Sequence, residues 1–370
     1  MNFIDRGGFP VKKEKIAWID HMKLFASIMI MTAHFQDAAL DACLAPPAQS
    51  GLYDILNTIL VPFQTGKCWV IVFCLLSGYL SCRKVSSLRE LAAEGFARWL
   101  RFFLPLLLCN AWVFLLLKTG HMYHAVYGSR FQNNWLLYHY ARDFRFSDVL
   151  VQSAVLGDAF NGPLWMLRPL FVGNLLILGA SWLSGKVPEG KRLWVEIAGF
   201  LLLLLGGLRV TTLLYAAATY AGLLIFRTRK NLLSPKWIPV FCALVCGVFY
   251  LAEVGSRRGM DFSWVHSPWS YLFLSLALVF PFFYSGYRGR TVTKLPLSGI
   301  SFWVYLLHFP TALSLGLGIL LFCPGSFWLR FGLAMAAVVG AVLAASAVLS
   351  KTFDVWTGRL VKWVKSRLLG

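Results

Sequence analysis

The run Ala334-Met-Ala-Ala-Val-Val-Gly-Ala-Val-Leu-Ala-Ala-Ser-Ala-Val-Leu349 places sixteen residues in succession without a charge. An amphipathic surface helix keeps its apolar residues to one stripe; this run is apolar all round. Extended to 327–350, it reaches the roughly 20 residues that span a bilayer core. Phe200 to Leu208 reads the same way. Working outward, comparable stretches fall at about 16–40, 61–82, 99–118, 163–183, 193–208, 210–226, 237–254, 268–287, 298–322 and 327–350. The expected fold is therefore all-α, a polytopic membrane protein with about ten transmembrane helices. Composition agrees: 58% of the 370 residues are hydrophobic and 14% are charged, against about 25% charged in ordinary soluble chains. Soluble, disulfide-framed, disordered and collagen-like classes are excluded.

The 35 Lys and Arg against 16 Asp and Glu leave a formal +19. In a soluble chain that excess points to nucleic acid; among membrane spans it points to topology, because basic residues gather in cytoplasmic loops. With the N-terminus inside, Arg6, Lys12, Lys13 and Lys15 precede the first span, and Arg83, Lys84, Arg89, Arg98 and Arg101 follow the second. Lys186, Lys191 and Arg192, then Arg227, Arg229, Lys230 and Lys236, then Arg288, Arg290 and Lys294 fall in later inner loops. With Lys351, Arg359, Lys362, Lys365 and Arg367 of the tail, 24 of the 35 basic residues lie inside. Both termini are expected in the cytoplasm, and no nucleic-acid partner is implied. The first span is about 25 residues long, contains polar residues and lacks a small-residue cleavage site, so it does not read as a signal peptide. Residues 1–350 read as one membrane domain. Residues 351–370 read as a basic amphipathic cytoplasmic tail resting on the inner leaflet.

Ionisable groups inside a span are costly and mark function by default. The first span, Ile16-Ala-Trp-Ile-Asp20-His-Met-Lys23-Leu-Phe-Ala-Ser-Ile-Met-Ile-Met-Thr-Ala-His34, is the richest. At about 100° per residue, Asp20, Lys23, His34 and Asp37 share an arc of about 100° on one helix face, with Lys23 and His34 separated by roughly 16 Å along the axis. Lys23 alone would read as snorkelling to the interface, and His34 alone as a histidine satisfied by a neighbour. The shared face favours a functional stripe. His308, in Ser301-Phe-Trp-Val-Tyr-Leu-Leu-His-Phe-Pro310, is the second intramembrane histidine. Arg98 and Arg101, one turn apart at the inner start of the third span, offer two guanidinium forks suited to phosphate, although topology alone also places arginines there. Lys67 and Arg168 sit at outer span ends, where snorkelling accounts for them. The long outer segment from Thr119 to Gly162 carries His121, Tyr123, His124, Tyr127, Trp135, Tyr138, His139 and Tyr140. These rings suit either sugar stacking or an interfacial belt. The eight cysteines show no zinc spacing, and no metal is implied. Cys43 and Cys323, both on the outer side, leave a disulfide open.

Four stretches in order carry a resemblance: Asp20-His-Met-Lys23 with His34 eleven residues on; Val72-Phe-Cys-Leu-Leu-Ser77-Gly78-Tyr79-Leu80; Arg98-Trp-Leu-Arg101-Phe-Phe-Leu-Pro105; and Ser301 to Pro310. Pro163-Leu-Trp165-Met-Leu167 is a looser fifth. Together they resemble the family 3 membrane acyltransferases, which move acyl groups, most often acetyl, to sugars and other extracytoplasmic acceptors. Lys23 stands where the family usually has arginine. Arg168 follows a tryptophan where many members have a glutamate.

The resemblance implies a multi-pass protein of the plasma or inner membrane. It implies acyl-CoA, most commonly acetyl-CoA, as donor and a carbohydrate or glycolipid as acceptor. Arg98, Arg101, Lys23 and Ser77 are the expected donor-binding residues. His34 is the expected general base or transient acyl acceptor, Asp37 or Asp20 its orienting carboxylate, and His308 a second group in the same cavity. A secondary transporter is the competing class, since it too accounts for ten spans and a charged stripe; the first-span motif is not repeated in the second half. A homo-oligomer stays open.

Overall fold

The computed structural model describes residues 17–44, 66–81, 85–233, 235–287 and 299–370. Arg6, Lys12, Lys13, Lys15, Arg83, Lys84, Arg288, Arg290 and Lys294, invoked above for orientation, lie outside the described residues. The described chain is helical throughout, with no strand. Its helices are α1 (Ala17–Gln36), α2 (Gly66–Leu80), α3 (Leu88–Lys118), α4 (His124–Arg130), α5 (Asn134–Tyr138), α6 (Phe146–Ala154), α7 (Leu167–Gly185), α8 (Arg192–Gly207), α9 (Thr211–Leu232), α10 (Ile238–Arg257), α11 (Pro268–Tyr287), α12 (Ser301–Thr311), α13 (Leu317–Phe322), α14 (Phe327–Lys351) and α15 (Phe353–Leu369).

Every one of the ten apolar stretches coincides with a helix. Six segments among the described residues are long and apolar enough to cross a membrane: Leu88–Lys118, Gly162–Gly185, Ile238–Ser256, Pro268–Ser285, Ser301–Phe322 and Phe327–Leu369. The apolar helix Gly66–Leu80 is shorter. The charged and polar groups of α1 and the basic end of α9 lower their mean hydropathy, and α8 has only 16 residues. The chain is a multi-pass membrane protein.

The core forms around α1, α2 and α12. Ten of the fifteen residues of α2 are buried, as are ten of the eleven of α12. Close helix approach is made possible by glycine. A Cβ on Gly78 would lie 1.7 Å from the Thr219 carbonyl oxygen, and one on Gly222 would lie 2.0 Å from that of Leu75. Small residues at such crossings let backbones touch, which drives association where lipid is as apolar as the side chains. At the N-terminal start of α3, the Ser87 hydroxyl accepts from the Glu90 amide while the Glu90 carboxylate accepts from Ser86, so the helix end is capped before it enters the bundle.

The tail helix α15 lies against the N-terminal half of α3. Val361 packs with Ala97 and Leu100, Lys365 pairs with the largely buried Glu94, and Arg89 donates to the Leu368 carbonyl at 2.7 Å. One face of the amphipathic helix is thus occupied by protein, whereas Val355, Trp356 and Trp363 are exposed. Cys43 and Cys323 are both free thiols; Cys43 donates weakly to the Ala39 carbonyl at 3.7 Å.

The Thr119–Gly162 segment is not a structureless loop. It folds into α4, α5 and α6 and returns to the ends of α1 and α12.

Candidate functional site

α1 and α12 each change geometry just beyond their intramembrane histidine. A π-helical turn, Asp37–Asp41, follows His34, and another, Ala312–Gly316, follows His308. Such wide turns concentrate at functional sites, where they free backbone carbonyls and re-aim side chains. Here the Thr119–Gly162 segment takes up the freed groups. The Tyr127 hydroxyl donates to the Ala39 carbonyl at 2.7 Å, the Asn133 amide to Ala38 at 3.1 Å, and the Tyr123 backbone N–H to Leu313 at 3.1 Å.

Pro310 has a further effect. Lacking an N–H, it leaves the Leu306 carbonyl, one turn back, without its helical partner. The Asn161 side-chain amide donates to that carbonyl at 2.8 Å, and the Cys109 thiol at 3.3 Å. The Tyr305 hydroxyl donates to the Pro163 carbonyl. The His-Phe-Pro stretch of α12 is thereby fastened to the outer segment on one side and to the start of α7 on the other.

Between these fastenings the two histidines meet. The His34 and His308 rings stack with centroids 5.5 Å apart and planes 18° from parallel. His308 is fully buried, while the His34 side chain is 27% exposed. The Nδ1 of His308 lies 2.7 Å from the Tyr305 carbonyl. A carbonyl only accepts, so the bond assigns the proton to Nδ1 and leaves Nε2 as a lone pair. That Nε2 is buried without a hydrogen-bond partner. Leaving a buried polar atom unsatisfied costs about 1–3 kcal/mol, and a donor group on a ligand or a water would recover it.

The four acidic and basic groups of the α1 stripe divide. Asp37 comes within 4.0 Å of His34 Nδ1, too far for a hydrogen bond but close enough to act on the ring's charge. Asp20 is fourteen residues from His34 on the same helix, roughly 21 Å along the axis. It is an electrostatic neighbour of Lys23 instead, and the carboxylate able to orient His34 is Asp37. The expected stripe therefore resolves into an inner pair and an outer pair.

The N-terminal end of α1 forms a second polar centre. One turn beyond Lys23, the Ser27 hydroxyl makes 2.9 Å contacts with the Lys23 and Ser301 carbonyls, tying α1 to the start of α12. Next to Ser301, Phe302 meets Phe102 of α3 edge-on at 5.8 Å. One turn below Phe102 stands Arg98. Its guanidinium donates to the Asn174 carbonyl at 2.9 Å, to the Asn174 side-chain oxygen at 3.3 Å and to the Ser81 carbonyl at 3.4 Å. Asn174 in turn donates to the Ser77 hydroxyl at 3.1 Å. Arg101 is exposed. The two arginine forks thus differ: Arg98 sits within an Asn174–Ser77–Ser81 network, and Arg101 faces outward.

Lys67 is exposed near the Tyr271 ring, and Arg168 donates to the Val155 carbonyl at 3.1 Å, turned into the outer segment. Trp135 and His139 stood in the sequence only among the rings open to sugar stacking or an interfacial belt, and Asn174, Asn161, Asn133 and Phe309 were not singled out as site residues. Asn161 and Asn174 carried a usable signal, being lone carboxamides beside apolar runs, whereas Asn133, flanked by Gln132 and Asn134, carried none. Phe309 carried none, since an apolar ring in an apolar span looks like every other. Among the described residues, no three His, Cys, Asp or Glu side chains converge in a metal-binding arrangement.

A stacked histidine pair pinned between packed helices, with His308 buried and His34 partly exposed, is the candidate acid–base site of this multi-pass membrane protein. A family model described as an acyltransferase domain matches residues 16–350, and the chain belongs to that family, the family 3 acyltransferases. The protein is accordingly a membrane acyltransferase. No curated protein and no solved structure matches the chain.

Proposed function

We propose that the protein transfers an acyl group, acetyl being the family's most common, from cytoplasmic acyl-CoA to a hydroxyl of an extracytoplasmic sugar or polysaccharide. Both termini are cytoplasmic in this reading, and ten helices cross the membrane. The observation that carries it is the stacked His34–His308 pair with its partnerless Nε2, joined along α1 to Lys23 of the basic centre. Lys23 and His34 are roughly 16 Å apart along α1, so a donor held by its phosphates at the inner end reaches the pair with its thioester arm.

The CoA phosphates meet Arg101, Lys23 and Arg98, whose guanidinium forks match phosphate oxygens. Ser77 acts through Asn174, which fixes Arg98. At the outer centre, a neutral His34 imidazole takes the proton from the acceptor hydroxyl as its oxygen attacks the thioester carbonyl. The tetrahedral intermediate collapses with cleavage of the C–S bond. The ester remains on the acceptor, and the CoA sulfur leaves as thiolate and takes up the proton held on His34, which restores the neutral imidazole. Asp37 stabilises the imidazolium formed on His34. The buried His308, whose Nε2 is a lone pair, accepts from a hydroxyl of the acceptor and so orients it beside His34. No metal is required.

Purified protein in proteoliposomes, supplied with acetyl-labelled CoA and a glycan acceptor, tests this reading. Label on the acceptor with release of free thiol supports it. Flux of label without any acylation supports a transporter and overturns it. For the donor site, Arg101→Ala is the cleaner variant, because Arg98→Ala also unties Asn174 from α3. Unchanged CoA affinity in Arg101→Ala would leave that arginine to topology alone.

A further inference from the structure

We infer that Trp135, with His139 and Phe309, forms the platform on which a pyranose ring of the acceptor stacks at the outer approach to His34. The inference rests on the proposed transferase reading and names the groups that hold its acceptor.

Trp135 lies on α5 and is 43% exposed. Its indole meets Phe309 at 5.7 Å and His139 at 5.1 Å, and His139 meets Phe309 at 5.2 Å, so the three rings form a closed cluster. Phe309 is itself 6.0 Å from His34 and 6.4 Å from His308. An aromatic surface open on its outer side is thus separated from the reacting pair by one ring.

The placement is rigid. The Asn133 side-chain oxygen caps α5 by accepting from the Leu136 amide at 3.0 Å, while its nitrogen donates to Ala38, four residues beyond His34. Leu136 is fully buried. His139 abuts Gly162, where an added Cβ would lie 3.0 Å from its Cε1. A ring serving only the interfacial belt needs none of this, and the neighbouring Tyr138, 67% exposed, fits the belt role better.

The chemistry selects the ligand. One face of a pyranose presents C–H groups, weakly positive and poorly hydrated, which suit the negative face of an indole. Stacking through that face leaves the ring hydroxyls at the edge, where one of them can turn inward to His34. Apolar acyl chains would gain equally from aliphatic side chains and do not call for a ring cluster; a sugar does.

Membrane vesicles from the native host, containing the full chain and the host's own envelope glycans, are incubated with acetyl-labelled CoA. Wild type is compared with Trp135→Ala, Trp135→Leu, Trp135→Phe and His34→Ala, and acetyl-CoA affinity is measured on each purified protein. The expected result is a loss of about tenfold in glycan label for the Ala and Leu variants, in keeping with a lost aromatic contact. The Phe variant stays within about threefold, and donor affinity is unchanged in all three Trp135 variants. Equal activity of the Leu and Phe variants, or a parallel loss of donor affinity, would overturn the platform. Full transfer by His34→Ala, or no glycan label from the wild type, would strike the underlying transferase reading instead.

Discussion

α8 and α12 are both strongly apolar by sequence, yet they occupy opposite environments. In α12 ten of eleven residues are buried, and in α8 only Glu196 is. Leu202 of α8 is 70% exposed, whereas Leu306 of α12 is fully buried. Hydropathy cannot separate a helix facing lipid from one facing protein, because acyl chains and leucines are equally apolar. The polar residues do. Ser301, His308 and Thr311 make α12 the helix that others must surround, while α8 turns its single carboxylate inward to Arg227 at 3.4 Å.

The comparison can be broken by substitution. Leu306→Ala should cost about 2–5 kcal/mol, the range for a leucine truncated in a tightly packed core, read as a fall in the melting temperature of the detergent-solubilised protein. Glu196→Ala should cost about 1 kcal/mol, since the Arg227 it leaves behind is 39% exposed and can be solvated; an unchanged melt would mean the pair is ornamental. Leu202→Ala should stay within about 0.5 kcal/mol of wild type. Similar losses for Leu306→Ala and Leu202→Ala would erase the distinction between the two helices.

A smaller effect tests the outer segment, which belongs to neither helix and fastens the ends of α1 and α12. Burial brings the imidazoles of His124 and His139 down from 6.5 to about 4; for His139 the neighbouring His124 adds to the shift and Asp158 opposes it. Once unfolded, the segment binds protons below about pH 6.5, whereas folded it resists them until about pH 4. Its stability is therefore complete above that window and declines as pH falls through it. Hydrogen exchange over residues 124–140 should be insensitive to this effect above pH 7, after correction for intrinsic rates. The segment should lose protection between pH 6.5 and 4. His139→Gln should flatten the decline, and protection that holds down to pH 4.5 in the wild type would contradict it.

These contrasts show what the sequence made legible. An all-helical, membrane-crossing chain followed from apolar length, and His34, His308 and Lys23 stood out because polar groups in a bilayer need a reason. The division of the α1 stripe was not legible, since a projection at 100° per residue compares angles and says little about a separation of fourteen residues. Nor were the π-helical turns, which depend on partners such as Tyr127 and Asn133 about ninety residues away. Pro310 was visible as a motif residue. Its work, freeing the Leu306 carbonyl for Asn161, required the third dimension.

The central claim is that the His34–His308 pair is where the acyl group changes hands. The most direct measurement is acyl transfer by His34→Ala in vesicles, with acetyl-CoA affinity and melting temperature measured on the same preparation. Loss of a positioned general base should lower transfer by about 10²–10⁴-fold, with donor affinity and melting temperature close to wild type. Transfer at the wild-type rate by a folded, donor-binding His34→Ala protein would contradict the assignment.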